Sequence, residues 1–264
     1  MMTLAHFKRG EGSRTVLLLH GFLGSGRNLT SLAQRLSEAR SDLTIISADL
    51  PGHGTSPPMQ PPYDLRALVE PVVAFADALP APLAIVGHSM GGRVGVEAAN
   101  QRPDRVAQVL LLDIAPGPIG DRNTDLETVA RALLAAPASF ASRTEARAAL
   151  MQHGLSAALA DWLLMNLANV GGNDGGGRLV WRIDRQALVD FGKASRGDDL
   201  WPHAEAIAQK LALAYGRRSG FVTHADRARL AELGVETHAL DAGHYLHVDA
   251  LDALVAWLAA RLLR

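Results

Sequence analysis

Strand-length apolar runs alternate with amphipathic helical stretches over the first 115 residues. The runs cover residues 15–20, 43–48, 83–87 and 106–113, and the stretches between them place leucines and valines at helical spacing. Apolar strands separated by helices are typical of crossover units that feed a parallel sheet, which is buried on both faces. The sequence therefore predicts an α/β fold with a mostly parallel central sheet flanked by helices.

One long insertion interrupts this alternation. Between about Pro118 and Ala208 the strand signal disappears and short helical patterns replace it; strand patterns return at residues 211–215 and 235–240, before a final amphipathic helix. We interpret residues 1–117 and 209–264 as the core, and residues 118–208 as an inserted helical cap, or lid. Within the cap, the glycine-rich run 171–177 predicts a turn. A chain of 264 residues suits such an arrangement and is short for two domains of ordinary size.

Charge and cysteine content exclude several classes of function. The chain has 26 Lys and Arg against 27 Asp and Glu, so it has no excess positive charge to hold a nucleic-acid backbone or an anionic membrane surface. Cysteine is absent, which removes disulfides, thiolate metal sites and cysteine nucleophiles. The first apolar run is too short for a signal sequence or a spanning helix. We expect a cytoplasmic protein that acts on a small molecule, without metal, nucleic acid or membrane as partner; the sequence indicates no oligomeric state.

A serine lies where a predicted strand gives way to a helix. The run 83–87 leads into Gly-His-Ser-Met-Gly-Gly at 87–92, and a helical pattern follows over 93–101. Glycines two residues before and two after the serine allow the sharp, strained turn that presents a nucleophilic hydroxyl at the carboxyl edge of a sheet. The pentapeptide Gly-x-Ser-x-Gly is a weak motif by itself. Its position between a strand and a helix makes Ser89 the predicted nucleophile.

A serine hydroxyl reacts at neutral pH only when a base accepts its proton. Of the ten histidines, His244 comes just after the last predicted strand, where a loop can carry it over the serine. We predict His244 as the base. Structural or pocket-lining roles are expected for His20, His53 and His88, and packing of a helix for His247.

The acid that orients the histidine has more than one candidate. Its commonest position is the turn after the penultimate strand, but residues 216–222 contain no carboxylate. Asp113 ends the strand that follows the serine and reaches the same sheet edge, so we assign it as the acid. Asp226 is the alternative, although its position inside a predicted helix favours a solvated or capping role.

Two backbone N–H groups are expected to form an oxyanion hole. One belongs to Met90, the residue after the serine, and the other to Phe22, in the loop after the first central strand. The same loop contains Gly-Ser-Gly at 24–26, which begins like a dinucleotide fingerprint, but Leu29 occupies the third glycine position. We therefore expect no nucleotide at this loop.

Four segments resemble the α/β-hydrolase superfamily: His-Gly-Phe-Leu-Gly at 20–24, Asp-Leu-Pro-Gly-His-Gly at 49–54, Gly-His-Ser-Met-Gly-Gly at 87–92 and Gly-His at 243–244. More narrowly, Leu-Asp-Ile-Ala-Pro at 112–116, Val-Trp-Arg-Ile at 180–183 and the turn with Ser219 look like the YbfF-type bacterial esterases. In that branch the acid follows the sixth strand, which maps onto Asp113. The resemblance implies an α/β-hydrolase fold, hydrolysis of carboxylic esters or acyl thioesters, a helical cap over the site and no cofactor.

Arg93 departs from this branch, in which lysine is expected four residues after the serine. Arginine at that position resembles the menaquinone-pathway lyases of the same fold, where it meets a substrate carboxylate. Cap residues such as Leu155, Trp162 and Met165 suggest either an apolar acyl pocket or plain hydrophobic core, and the sequence leaves both open. The expected substrate contacts are Gly21, His88, Arg93 and Trp162.

These observations predict a serine hydrolase that forms an acyl-enzyme through the triad Ser89, His244 and Asp113. One alternative is a cofactor-free lyase that uses the same triad, with Arg93 binding a substrate carboxylate. Another is a non-catalytic ligand receptor on the same fold, against which a complete triad argues.

Overall fold

The described part of the chain contains ten strands, of which seven form one central sheet. The structure is a computed structural model and describes residues 3–120, 125–171 and 177–263. The strands are β1 (His6–Arg9), β2 (Arg14–Leu19), β3 (Leu43–Ala48), β4 (Leu83–His88), β5 (Val106–Leu112), β6 (Ser139–Phe140), β7 (Leu167–Val170), β8 (Arg178–Trp181), β9 (Leu211–Gly216) and β10 (Glu236–Leu240). The central sheet has the order β1-β3-β2-β4-β5-β9-β10, in which β1 pairs antiparallel with β3 and the other neighbours pair parallel.

Helices cover both faces of this sheet. The helices of the described residues are α1 (Thr30–Ala39), α2 (Arg66–Asp77), α3 (Met90–Gln101), α4 (Asp125–Ala135), α5 (Arg143–Gln152), α6 (Ala157–Leu163), α7 (Arg185–Ala194), α8 (Trp201–Ala206), α9 (His224–Glu232), α10 (Leu246–Asp249) and α11 (Leu251–Arg261), of which α4 to α7 belong to the segment between β5 and β9. In β2, Leu17 and Leu19 pack into one core with α2 and α3, while Val16 and Leu18 pack into a second core with α1 and α11. Because both faces are buried, the strands read as continuous apolar runs. The predicted α/β fold with a mostly parallel sheet is confirmed.

The parallel strands bring five loops to one edge of the sheet. The loop after β2 carries Phe22, the turn after β4 carries Ser89, and Asp113 follows β5 directly. Ser219 lies in the turn after β9, and His244 follows β10. Residues far apart in sequence are thus placed at the carboxyl ends of neighbouring strands, where ligands bind in folds of this type.

The segment between β5 and β9 contains strands as well as helices. There β6, β8 and β7 form a small antiparallel sheet beside α4 to α7. The expectation that the strand signal ends in this segment was therefore wrong for these three strands. They are two to four residues long, which is too short to show a clear period of two. The turn predicted at 171–177 falls largely on residues 172–176, outside the described residues.

Two further elements differ from the sequence pattern. Strand β1 was not predicted, because its four residues are all exposed and include no apolar run. Pro71, a residue that usually disfavours a helix interior, lies inside α2, which continues through it without being split. Strand pairing at the sheet edge and packing on the sheet therefore override the local signals at these places.

Candidate active site

Ser89 occupies a sharp turn between β4 and α3. Its backbone has φ 51° and ψ −120°, a conformation that costs a non-glycine residue roughly 1–3 kcal/mol. The flanking glycines permit close backbone contacts: a Cβ on Gly87 would lie 2.4 Å from the carbonyl carbon of Gly91, and a Cβ on Gly91 would lie 2.5 Å from the carbonyl oxygen of Leu19. The serine N–H donates to the Leu112 carbonyl at 3.0 Å. This strand, turn and helix arrangement is what a nucleophile elbow requires.

The Asp113 carboxylate and the His244 imidazole are hydrogen-bonded to each other. Nδ1 of His244 lies 2.7 Å from Oδ2 of Asp113, and the carboxylate is fully buried. An ionised carboxylate only accepts, so Nδ1 donates and the neutral ring keeps Nε2 as a proton acceptor. His244 and Ser89 line the same cavity. The imidazole that Asp113 orients therefore borders the space in which the serine hydroxyl lies.

Two more donors hold the Asp113 carboxylate. The Gly216 N–H donates to Oδ1 at 2.8 Å, and the Ser219 hydroxyl donates to Oδ2. Ser219 lies in the turn after β9, the commonest place for the acid itself, so here a serine supports an acid that comes from β5. The contact between Ser219 and Asp113 was not expected from the sequence, although the absence of a carboxylate from that turn was an available signal.

The His244 ring is also packed and anchored by aromatic neighbours. Phe221 stacks on it, with ring centroids 3.8 Å apart and planes inclined by 18°. Nε2 of His88 donates to the His244 carbonyl at 2.9 Å. Burial lowers the pKa of His88 well below its usual value, and charge on His244 or His247 would lower it further. His88 is therefore a neutral ring that lines the cavity and fixes the His244 backbone. Phe221 was not among the residues expected at the site.

Two buried histidines hold the loop that contains Phe22. Nδ1 of His20 donates to the Gly21 carbonyl at 2.8 Å, and Nε2 of His53 accepts from the Leu23 N–H at 3.2 Å. The Gly21 carbonyl and the Phe22 N–H belong to one peptide unit, so His20 fixes the direction of that N–H. Desolvation lowers the pKa of His20 to about 3 and that of His53 to about 4, which keeps both rings neutral near pH 7.

The two expected oxyanion donors are available for a ligand. Among the described residues, the backbone N–H groups of Phe22 and Met90 make no hydrogen bond to another protein group. Gly21 keeps this space open, because a Cβ there would lie 2.9 Å from Nδ1 of His88 and 3.3 Å from Cβ of Ser89. A carbonyl oxygen near the serine could therefore meet donors that are already directed by the fold.

Apolar side chains from the core loops and the insertion line the cavity at Ser89. Its volume is about 470 Å³, and Trp162 and Met165 contribute from the insertion. The half-buried Trp162 packs against Tyr245, with ring centroids 6.2 Å apart. Leu155, for which pocket and core were both open, is packed in the hydrophobic core. The cavity is of the size and composition of a small-molecule site.

Arg93 is placed differently from the other expected substrate contacts. Its side chain is 2% exposed, and its Nη atoms donate to the carbonyls of Pro116, Gly117 and Asp198 at 2.6–3.2 Å. It does not line the 470 Å³ cavity. It borders a separate cavity of about 50 Å³ that also reaches Ser89. The guanidinium thus joins α3 to the backbone that follows β5 and to the backbone that precedes α8.

The alternative acid, Asp226, belongs to a helix cap. It is the third residue of α9, where its N–H donates to Thr223 Oγ1 at 3.1 Å and its Oδ2 accepts from the Thr223 N–H at 2.9 Å. Such reciprocal bonds form a capping box. The carboxylate is therefore engaged at the start of a helix, and Asp226 does not line the cavity at Ser89.

Within residues 3–120, 125–171 and 177–263, no group of three or more His, Asp or Glu side chains could hold a metal ion. No helix in those ranges is long and apolar enough to cross a membrane.

Several known proteins are similar to this chain. A family model described as the alpha/beta hydrolase fold matches residues 14–250. Lipase LipV of Mycobacterium tuberculosis is 35% identical over 189 residues, which are 69% of this chain and 66% of LipV, just under two thirds of that relative. Esterase YbfF of Escherichia coli is 28% identical over 91% of this chain and 89% of its own length. The solved structure of a marine microorganism esterase matches with a TM-score of 0.83 and 23% identity over 99% of this chain and 100% of that one, a likeness of fold.

Proposed function

The chain belongs to the α/β-hydrolase family, and from this premise we propose that it is a serine hydrolase that cleaves carboxylic esters or acyl thioesters. One observation carries the proposal. The His244 imidazole, oriented by the buried Asp113, lines the same cavity as the strained Ser89. The names of LipV and YbfF, a lipase and an esterase, support ester bonds as the class of substrate.

The proposed reaction uses the side chains of Ser89, His244 and Asp113 together with two backbone N–H groups. Nε2 of His244 accepts the hydroxyl proton of Ser89 while Oγ attacks the carbonyl carbon, and the N–H groups of Phe22 and Met90 stabilise the oxyanion. The bond to the leaving oxygen or sulfur then breaks, and His244 transfers its proton to that atom. Water, deprotonated by His244, attacks the acyl carbon; the bond to Oγ of Ser89 then breaks, His244 returns the proton to Oγ, and the carboxylic acid is released. Asp113 keeps the proton on Nδ1 and stabilises the imidazolium.

The alternatives have less support. A lyase that binds a substrate carboxylate through Arg93 needs that guanidinium to face the substrate, and its Nη atoms donate to three backbone carbonyls. A receptor without catalysis has no use for a backbone strained at Ser89 or for an imidazole held on Asp113. A hydrolase uses both.

Labelling of the serine tests the proposal. A fluorophosphonate probe should modify Ser89 in the folded protein, as located by peptide mass spectrometry, and Ser89→Ala should remove the label. Ser31→Ala, an exposed serine on α1, is the matched control and should label normally. Turnover of p-nitrophenyl esters and acyl-CoA thioesters then separates oxygen from sulfur esters. Folded protein without a label on Ser89 would exclude the proposed mechanism, whereas labelling without turnover of either series would favour the lyase.

A further inference from the structure

Two cavities of different size meet at Ser89. The larger, of about 470 Å³, is lined by His244 as well as the serine. The smaller, of about 50 Å³, is lined by Ser89 and Met90, and His244 is not among the described residues around it. Phe22 and Phe221 line both cavities and therefore lie at the boundary between them. An ester bound at the serine can therefore extend into two unequal spaces.

The position of the base decides which part of the ester enters each space. With the carbonyl oxygen at the N–H groups of Phe22 and Met90, the acyl chain and the leaving group point to different sides of the carbonyl carbon. His244 must give its proton to the leaving atom, so this atom has to lie within hydrogen-bond reach of the ring. The leaving group therefore belongs in the larger cavity, and the acyl chain in the smaller one.

The smaller cavity limits the length of the acyl chain. An apolar cavity of roughly 150 Å³ holds one benzene molecule, so the volume of about 50 Å³ corresponds to about two carbon atoms beyond the carbonyl. Its walls come from several elements: Leu65 precedes α2, Ile119 lies between β5 and α4, and Phe191 belongs to α7. Leu65 and Phe191 are buried, so these walls are packed against the rest of the protein.

The charged residues at this cavity are already engaged with protein groups. Arg93 donates to backbone carbonyls, as described above. Arg196 donates to the Gly120 carbonyl at 3.0 Å and pairs with Glu127 at 3.3 Å. The remaining walls are mostly apolar side chains, which favours a neutral acyl chain over one that ends in a carboxylate.

We propose that this hydrolase is selective for short neutral acyl groups, acetyl and propionyl, carried on bulky apolar alcohols or thiols, and that the walls of the small cavity, Leu65 among them, set the limit. The inference rests on the proposed function. It assigns the small cavity as the acyl site and the cavity that contains Trp162 as the site of the leaving group.

Two substrate series test the assignment. With p-nitrophenol as the fixed leaving group, kcat/KM should fall by about tenfold or more between propionate and hexanoate, because a methylene that does not fit a pocket changes specificity by roughly 10- to 200-fold. With acetate as the fixed acyl group, kcat/KM should rise from methyl to butyl to 2-(2-naphthyl)ethyl esters, a series of alkanols with similar leaving-group reactivity. A p-nitrophenyl hemisuccinate should be a poorer substrate than the butyrate of similar length.

Matched truncations test the role of each cavity. Leu65→Ala enlarges the small cavity and should raise the hexanoate-to-acetate ratio of kcat/KM by about tenfold. Leu159→Ala makes the same change in the large cavity and should leave this ratio unchanged while altering the dependence on the alcohol. Ile119→Ala enlarges the small cavity from another wall and serves if Leu65→Ala does not fold.

The possible outcomes separate the inference from the proposed function. If Ser89 is labelled but kcat/KM rises from acetate to octanoate, or the hemisuccinate is preferred, the acyl site is assigned wrongly and the hydrolase remains. Equal effects of Leu65→Ala and Leu159→Ala on the acyl ratio would also overturn the assignment. Absence of labelling on Ser89 would overturn both.

Discussion

Asp113 is the residue on which the assignment of the triad depends most. The carboxylate is buried and accepts from His244 Nδ1, Gly216 N–H and the Ser219 hydroxyl. Asp113→Asn should lower kcat by about 10⁴-fold, because an amide can donate to Nδ1 and stabilise the wrong tautomer of His244. Turnover of p-nitrophenyl acetate, with folding checked by circular dichroism, measures this.

Asp226→Asn is the matched control. It should leave kcat nearly unchanged and lower the free energy of unfolding by about 1 kcal/mol, since it weakens the cap of α9. The opposite pattern, with Asp113→Asn active and Asp226→Asn inactive, would move the acid to Asp226.

The three candidate triad residues could be predicted from the sequence, but the contacts that support them could not. Ser89, Asp113 and His244 could be proposed because each follows a strand, and parallel strands end at a common edge. Ser219 and Phe221 could not be assigned in the same way. Ser219 is 106 positions from Asp113, and the Phe221 ring meets His244 only because two loops pack together.

At the scale of secondary-structure elements, Arg93 links helix α3 to two other segments of the chain. Its Nη atoms connect α3 to Pro116 and Gly117, after β5, and to Asp198, before α8. Arg93→Met should remove the side-chain donors of the Gly117 and Asp198 carbonyls, whereas the Pro116 carbonyl keeps the Leu200 N–H, and it should lower the free energy of unfolding by about 3–5 kcal/mol, measured by urea denaturation. Any loss of kcat/KM should be the same for a neutral ester and for one that carries a carboxylate.

Arg102→Met provides the control for this prediction. Arg102 follows α3 and forms an exposed ion pair with Asp77, so its loss should change stability by at most about 1 kcal/mol. A selective loss of the carboxylate-bearing ester in Arg93→Met would instead indicate that Arg93 binds substrate.

The elements themselves were predictable where burial made the pattern strong. The strands β2 to β5 are buried on both faces, so their apolar runs have nearly the bounds that the structure gives them. In contrast, β1 is exposed throughout, and β6 to β8 are short and partly exposed. These strands exist because a partner strand is available, a fact that local sequence does not carry.

At the scale of the whole molecule, several neutral histidines are buried near the sheet edge that carries Ser89. Desolvation lowers the pKa of His20 to about 3, and those of His53 and His247 to about 4. The pKa of His88 is also lowered by burial. In the unfolded chain these rings titrate near pH 6.5, so the free energy of unfolding must depend on pH.

The direction of this dependence follows from proton binding. Between about pH 6.5 and pH 4 the unfolded chain binds protons that the folded protein does not, so the free energy of unfolding falls as the pH is lowered. Each buried ring contributes about 1.4 kcal/mol per pH unit within this window. The stabilising effect is complete above about pH 7, and the loss from His53 and His247 ends near their folded pKa of about 4.

Urea denaturation at pH 7.5, 6.5 and 5.5 should therefore show a steep loss of stability toward acid, and the slope can be divided among the histidines. His53→Gln keeps an acceptor for the Leu23 N–H and removes one titrating group, so it should reduce the slope below pH 6.5 by about 1.4 kcal/mol per pH unit. His224→Gln makes the same substitution at an exposed position on α9. If both variants keep the parent slope, the acid sensitivity does not come from the histidines that hold the oxyanion loop, and the neutral state assigned to His53 in the fold is wrong.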